Sequence, residues 1–289
     1  MNHQSPPSAS SIVRLWERIP IVARAIVVGF LVFAIVGSVA WMAIVILIPA
    51  PWSIGAMAIV LWVYLRYVSG SWWPKATTES RRVRFRATKL PMRVWKWSLI
   101  AALLAAVLLE SSLVVTFRII EFRAEAWALA YDFADAPIWQ VWGFILMAAL
   151  VAGITEEVGF RGYMQVPLEG RYGPAVGITI VSIMFVVLHL NQAWAGGGGI
   201  LIMLFGISAV WGVLARVSGS LIPGMISHTV ADIVNFSYWW TDVAGAFDKR
   251  PISETGIDSH FILWIAVFVA SLALFALAAR KTLAARQET

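Results

Sequence analysis

The chain is 289 residues long, 60% hydrophobic and only 13% charged, about half the charged fraction of a water-soluble domain, which excludes a water-facing surface over most of its length. Cysteine is absent, so disulfides, thiolate metal sites and a cysteine nucleophile are excluded. The net charge of +6 sits between apolar runs with no recognisable nucleic-acid module around it, and no nucleic-acid partner is expected.

A spanning helix takes about 20 mostly apolar residues. Residues 1–24 read as a loose, Ser/Pro-rich cytoplasmic tail. Eight apolar runs follow, at 25–49, 52–73 (interrupted by Arg66), 95–117 (carrying Glu110), 138–155, 174–190, 200–215, 221–240 and 261–279. The first is too long for a cleaved signal peptide. Many of the 16 tryptophans lie near the ends of these runs, as in interfacial aromatic belts. The expected fold is all-α, a polytopic transmembrane bundle of about eight spanning helices. It divides into the tail 1–24, N-terminal helices and a basic loop over 25–137, a core over 138–240, and an outer loop, last helix and basic tail over 241–289. Gly196 to Gly199 read as an outer loop.

With eight spans both termini share a side, and 18 of the 22 Lys and Arg residues fall there. That excess belongs in the cytoplasm. An integral protein of a bacterial plasma membrane, with both termini cytoplasmic, is expected. The basic run from Arg81 to Lys96 reads as a topology determinant resting on anionic lipid.

A charge in the hydrocarbon core costs about 2.5–3.5 kcal/mol on insertion scales. Six acids and histidines nevertheless fall inside these runs or at the end of the fourth: Glu110, Glu156, Glu157, His189, His228 and Asp232. All but Glu110 lie in the second half, the pattern of one interior polar site. Glu110 reads as an interfacial charge. Residues four apart share a helix face, so Glu157 can pair with Arg161, His228 shares a face with Asp232, and Phe185 with His189. Glu156 points about 100° away from Glu157 and is left without that partner. Pro167 is the first proline after Ile138, so the fourth helix is expected to reach about Leu168, with Gly170 to Gly173 as the turn. Glu156 then lies about 18 Å and His189 about 22 Å from that turn, and His228 only about 10 Å from the turn at 218–220. The last distance predicts a histidine too shallow to meet the others, unless its helix tilts or starts late.

One carboxylate with two histidines and a further carboxylate suits activation of water, with Glu156 taking a proton and passing it to a leaving amine. The histidines suit either a divalent metal such as zinc or direct, metal-free holding of water and oxyanion. The same residues would also serve a proton-coupled transporter, although that reading predicts buried charge in both halves. His-Glu-x-x-His, Gly-x-Ser-Gly and Gly-x-Gly-Asp motifs are absent, so the intramembrane proteases built on them fit worse.

The ordered set Glu156-Glu157-x-x-x-Arg161, Phe185-x-x-x-His189 and His228-x-x-x-Asp232, on successive apolar runs between about 148 and 236, resembles the CPBP family. These are the CAAX-protease and bacteriocin-processing (Abi) intramembrane proteases. The resemblance implies an eight-helix fold and hydrolysis of a peptide bond in a membrane-associated protein or peptide. It implies Glu156 as base, His189 as its partner, His228 and Asp232 as the rest of the site, and Glu157 and Arg161 in support. Asn is frequent in the family at the position of Asp232, so this chain carries one additional acid. Non-catalytic relatives acting as membrane scaffolds or immunity factors offer a rival expectation.

Overall fold

The computed structural model describes residues 11–86, 89–121, 133, 136–191, 198–239, 241, 243–245 and 250–288. Every regular element among them is helical. In chain order these are α1 (Ser11–Arg18), α2 (Ile21–Leu47), α3 (Trp52–Val68), α4 (Thr78–Phe85), α5 (Met92–Ile119), α6 (Ile138–Tyr172), α7 (Pro174–Leu188), α8 (Gly198–Ser218), α9 (Ile222–Val234), α10 (Ile252–Thr255) and α11 (Ser259–Gln287). Prolines precede or open several of them, as at Pro20, Pro51, Pro91, Pro137 and Pro174. There the missing N–H costs nothing and the fixed φ suits a first turn. Asp258 caps α11 by accepting a 2.8 Å bond from the Phe261 N–H, which satisfies one of the orphan donors of the first turn.

Five helices, α2, α5, α6, α8 and α11, are long and apolar enough to cross a membrane, and α3 and α7 are shorter apolar helices. With α9, which continues as a π-helical turn over Asn235–Trp239, the described segments account for all eight apolar runs. The outer shell is apolar: Ile46 is 73% exposed, Ile202 78% and Leu263 59%. Such a surface matches lipid rather than water, and helices satisfy their own backbone groups within it. The protein is an integral membrane protein with an all-helical fold.

Several boundaries depart from the sequence reading. Part of the tail read as loose forms α1. The second run stops at Val68, where Ser69 and Gly70 (φ +72°) turn the chain. The fourth helix does not end near Leu168 but runs to Tyr172, and within the expected turn of Gly170 to Gly173 the chain turns at Gly173 (φ +83°). Gly198 and Gly199 open α8 and are not loop, while Gly196 and Gly197 lie outside the described residues. The basic run is not wholly directed at lipid either. Arg81 is buried and donates to the carbonyls of Tyr67, Trp72 and Pro74, tying down the connection after α3. Arg86 pairs with Glu169.

The site is positioned by close helix contacts at glycines. A Cβ on Gly153 of α6 would lie 2.8 Å from the Thr229 nitrogen of α9. A Cβ on Gly29 of α2 would lie 2.9 Å from the Gly159 carbonyl. Lipid is as apolar as leucine, so such small-residue packing is what draws membrane helices together.

Candidate active site

Glu156 is the last α-helical residue of its stretch, and Glu157 opens a π-helical segment, Glu157–Met164. Every residue of that segment is buried. A π segment widens the turn and shifts the hydrogen-bond ladder, and such segments recur at functional sites. Here the change of pitch falls between the two glutamates and directs their carboxylates to different partners.

Glu157 faces the protein interior and is fully buried. Its Oε1 lies 3.0 Å from Arg161 Nη1 and 3.2 Å from His228 Nδ1. The space it occupies exists because Gly224 has no side chain: a Cβ there would lie 2.8 Å from Glu157 Oε2. Arg161, also fully buried, donates to the Ser208 hydroxyl at 2.9 Å and carbonyl at 3.1 Å. Its guanidinium lies 5.0 Å from the Phe185 ring and 5.3 Å from the Trp211 ring. A desolvated charge is tolerated when paired and hydrogen-bonded in this way, and aromatic faces add cation–π attraction.

Glu156 turns toward a cavity of about 260 Å³ that Glu156, His189, His228 and Asp232 all line. His228 Nε2 lies 3.8 Å from Glu156 Oε2 and 3.5 Å from Asp232 Oδ2. The His228 ring stacks on Trp211, centroids 3.9 Å apart and planes at 17°, and the Trp211 indole donates to the Ser227 hydroxyl at 3.0 Å. His189 stands just past the end of α7, stacked on Phe185 at 4.4 Å. Its Nδ1 lies 2.8 Å from the Phe185 carbonyl. A carbonyl only accepts, so Nδ1 carries the proton and Nε2 is the remaining nitrogen.

The four residues come together, and His228 is not too shallow. The turn before α9 is itself recessed: Ser218, Ser220 and Leu221 are all buried. The Ser218 hydroxyl lies within hydrogen-bond distance of the Leu214 and Ser220 carbonyls, at 2.7 and 2.9 Å, and accepts from the Ser220 N–H at 3.2 Å, so polar groups of the turn are met inside the protein. The helix starts at Ile222, close to where the run begins, but from a buried turn, and His228 reaches the level of Glu156. The shared faces of Glu157 with Arg161, His228 with Asp232 and Phe185 with His189 are all realised as contacts.

Sequence reasoning missed Trp211, Ser208 and Asn235, the last of which also lines the cavity. Trp211 lies mid-span, away from the interfaces where tryptophan concentrates, and that was a readable signal. Ser208 and Asn235 carried none. Glu110 Oε1 is buried and without a hydrogen-bond partner, its carboxyl is bonded by Trp239, and it does not line the cavity.

The donor types, two imidazoles and two carboxylates, are those a divalent cation takes. Their placement is not: among the described residues no three His, Asp or Glu side chains converge tightly enough to hold a metal ion. The arrangement fits instead a polar molecule with hydrogens to donate. Glu156 Oε2 is a buried acceptor without a hydrogen-bond partner, and such an atom in a polar cavity marks a place for water or a substrate N–H.

Residues 137–234, about a third of the chain, match the family model described as type II CAAX prenyl endopeptidase Rce1-like. No curated protein and no solved structure matches the chain significantly. The matched stretch runs from the start of α6 to the end of α9 and holds Glu156, Glu157, Arg161, His189, His228 and Asp232. Over residues 137–234 the chain is thus similar to the Rce1-like type II CAAX prenyl endopeptidases.

Proposed function

We propose that the protein is an intramembrane endopeptidase that hydrolyses a peptide bond of a membrane-associated protein or peptide, with Glu156 as the general base. The observation that carries this reading is the cavity itself. It gathers Glu156, His189, His228 and Asp232 at the buried, unpartnered Oε2 of Glu156.

The chemistry follows from the hydrogen-bonding capacity of each group. A water in the cavity gives one proton to Glu156 as its oxygen attacks the scissile carbonyl carbon. His189 Nε2, left as an acceptor, orients the same water. His228, with Glu157 on Nδ1 and Asp232 beside Nε2, is suited to offer an N–H to the carbonyl oxygen as negative charge develops there. Glu156 then passes its proton to the amide nitrogen, the C–N bond breaks, and carboxylate and amine products separate. Glu157 and Arg161 touch no reacting atom in this scheme and hold His228 and the π segment in place. No step is routed through a metal.

An apolar groove of about 440 Å³ between α5, α8 and α11 shares the walls Met203 and Ile207 with the site cavity. A substrate with an apolar segment next to the scissile bond would lie along it. The test is cleavage of a fluorogenic peptide panel by purified protein, wild type beside Glu156→Ala, with and without chelator. Cleavage lost in Glu156→Ala supports the assignment. Chelator sensitivity would require a metal that the present side-chain placement does not accommodate. Equal cleavage by both proteins would remove Glu156 from the mechanism.

A further inference from the structure

A second polar pocket, of about 230 Å³, lies away from the site where α1, α2, α4 and the later part of α6 meet. Its polar lining comes from three elements. Arg24 stands in the first turn of α2, Arg84 in the last turn of α4, and Tyr163 in the π segment of α6. The remaining walls are apolar, with Trp16, Ile21, Val28 and Pro167 among them. Among the described residues no carboxylate lines the pocket.

Two of these polar groups meet nothing. Arg24 Nε and the Tyr163 hydroxyl are buried without a hydrogen-bond partner, and Tyr163 as a whole is only 5% exposed. Arg84 stands over the Tyr163 ring, its Cζ 5.6 Å from the centroid, a cation–π contact that places the guanidinium and makes no demand on its N–H donors. Buried polar groups are normally satisfied, and arginine stays charged. Two guanidinium groups and a hydroxyl donor around one pocket, with no acid in its lining, are the donor set of an anion site. Arginine forks match the oxygens of a phosphate. The setting is a membrane surface: α4 belongs to the basic run from Arg81 to Lys96, and α1 leads into α2 with Leu15 and Trp16 exposed, as suits a helix resting at the interface. Basic pockets between spanning helices at that level suit lipid headgroups, and the apolar walls suit the glycerol and first acyl carbons behind a headgroup phosphate.

We propose that Arg24, Arg84 and Tyr163 bind a phosphate group at the membrane surface, supplied by the headgroup of an anionic phospholipid or by free phosphate. The pocket joins α2 and α4 to the π segment of α6. A Cβ on Gly162 would lie 2.6 Å from the Arg84 carbonyl, and one on Gly159 would lie 2.7 Å from Phe33 Cβ. An occupied site therefore holds both helices against the segment that directs Glu156 and Glu157 to different partners.

The test uses full-length, delipidated protein in dodecyl maltoside, a detergent without phosphate. Thermal unfolding is followed in three titrations: with phosphatidylglycerol, with diacylglycerol of the same chains, and with sodium phosphate against sodium chloride at equal ionic strength. A ligand of the folded state raises Tm, so a saturable rise is expected with phosphatidylglycerol or phosphate and none with diacylglycerol. Half-saturation should weaken about fivefold in Arg84→Gln and in Arg24→Gln, the equivalent of roughly 1 kcal/mol for each basic residue. Tyr163→Phe keeps the ring and removes only the hydroxyl. Without added anion its Tm should match or exceed that of wild type, because the hydroxyl has no partner to lose, while its half-saturation weakens. A rise with phosphatidylglycerol alone identifies the lipid headgroup, and a rise with phosphate identifies the free ion. The proposal is overturned by no rise with either anion, by an equal rise with diacylglycerol, or by the same half-saturation in wild type and all three variants. Tyr163→Phe keeps the test decisive if an arginine variant fails to fold.

Discussion

Two spanning helices make the most instructive pair in this molecule. α2 is the more apolar, with a mean hydropathy of 2.7 over its best window, yet only 11% of that window is buried in the protein. α6 is less apolar, at 1.8, and 50% of its window is buried. In water the order would be reversed. In a bilayer the hydrophobic effect does not sort helices, and the side that meets protein is decided by polar groups and small residues. α6 carries Glu156, Glu157 and Arg161 with Gly153, Gly159 and Gly162, and it goes inside. α2 carries little beyond its glycines to hold it there and faces lipid.

Breaking the polar half of this contrast should have the largest effect on stability. Arg161→Met leaves the buried Glu157 carboxylate without its 3.0 Å partner and should cost about 3–5 kcal/mol, read as a lower Tm in detergent. Arg66→Met, at an exposed position in α3, should stay within about 0.5 kcal/mol. Similar losses in both would mean that Arg161 is not the interior charge it appears in the geometry.

The small-residue half predicts a smaller loss. Gly153→Val forces α6 away from the Thr229 backbone and should cost about 1–3 kcal/mol, as overpacking does. Gly55→Val in α3 meets open space and should leave Tm unchanged or slightly higher. A tolerated Gly153→Val would show that the α6–α9 contact is looser than described.

Smaller again is the effect of the ring under His228. Trp211→Leu removes a stacked partner worth about 0.5–1.5 kcal/mol. It should lower kcat up to about tenfold with little change in KM, if the ring orients His228 and does not bind substrate. A change confined to KM would reassign Trp211 to the substrate wall.

The smallest expected effect lies at the far end of α5 and the start of α11. Asp258 is held below the ordinary carboxylate range by its bond to Arg118, then by the Phe261 N–H. A carboxyl lowered on folding stabilises the protein above its unfolded pKa, and that contribution is lost as pH falls through the folded value. Thermal scans should show a small acid-side loss of Tm in wild type that is absent in Asp258→Asn. An unchanged acid limb in the variant would place the titration elsewhere.

Much of this was legible in the sequence, for definite reasons. The eight apolar runs follow from hydropathy, and the pairs at 157/161, 185/189 and 228/232 follow from helix periodicity. The level of His228 was not legible, because it depends on a turn buried by the Ser218 hydroxyl, and a serine before a glycine does not announce burial. The π segment was not legible either. It comes from tertiary packing over Gly159 and Gly162, against Phe33 of α2 and the Arg84 carbonyl. Trp211 and Ser208 became part of the site only once α8 was seen to lie beside Arg161.

The most direct test of the central claim compares two half-buried glutamates. Glu156 lines the cavity, and Glu110 does not. Cleavage of one peptide substrate should be measured in reconstituted lipid for wild type, Glu156→Gln and Glu110→Gln. Loss of a general base predicts a fall of about 10²–10⁴-fold in Glu156→Gln, with Glu110→Gln within a few-fold of wild type. Comparable rates for Glu156→Gln and wild type would contradict the account.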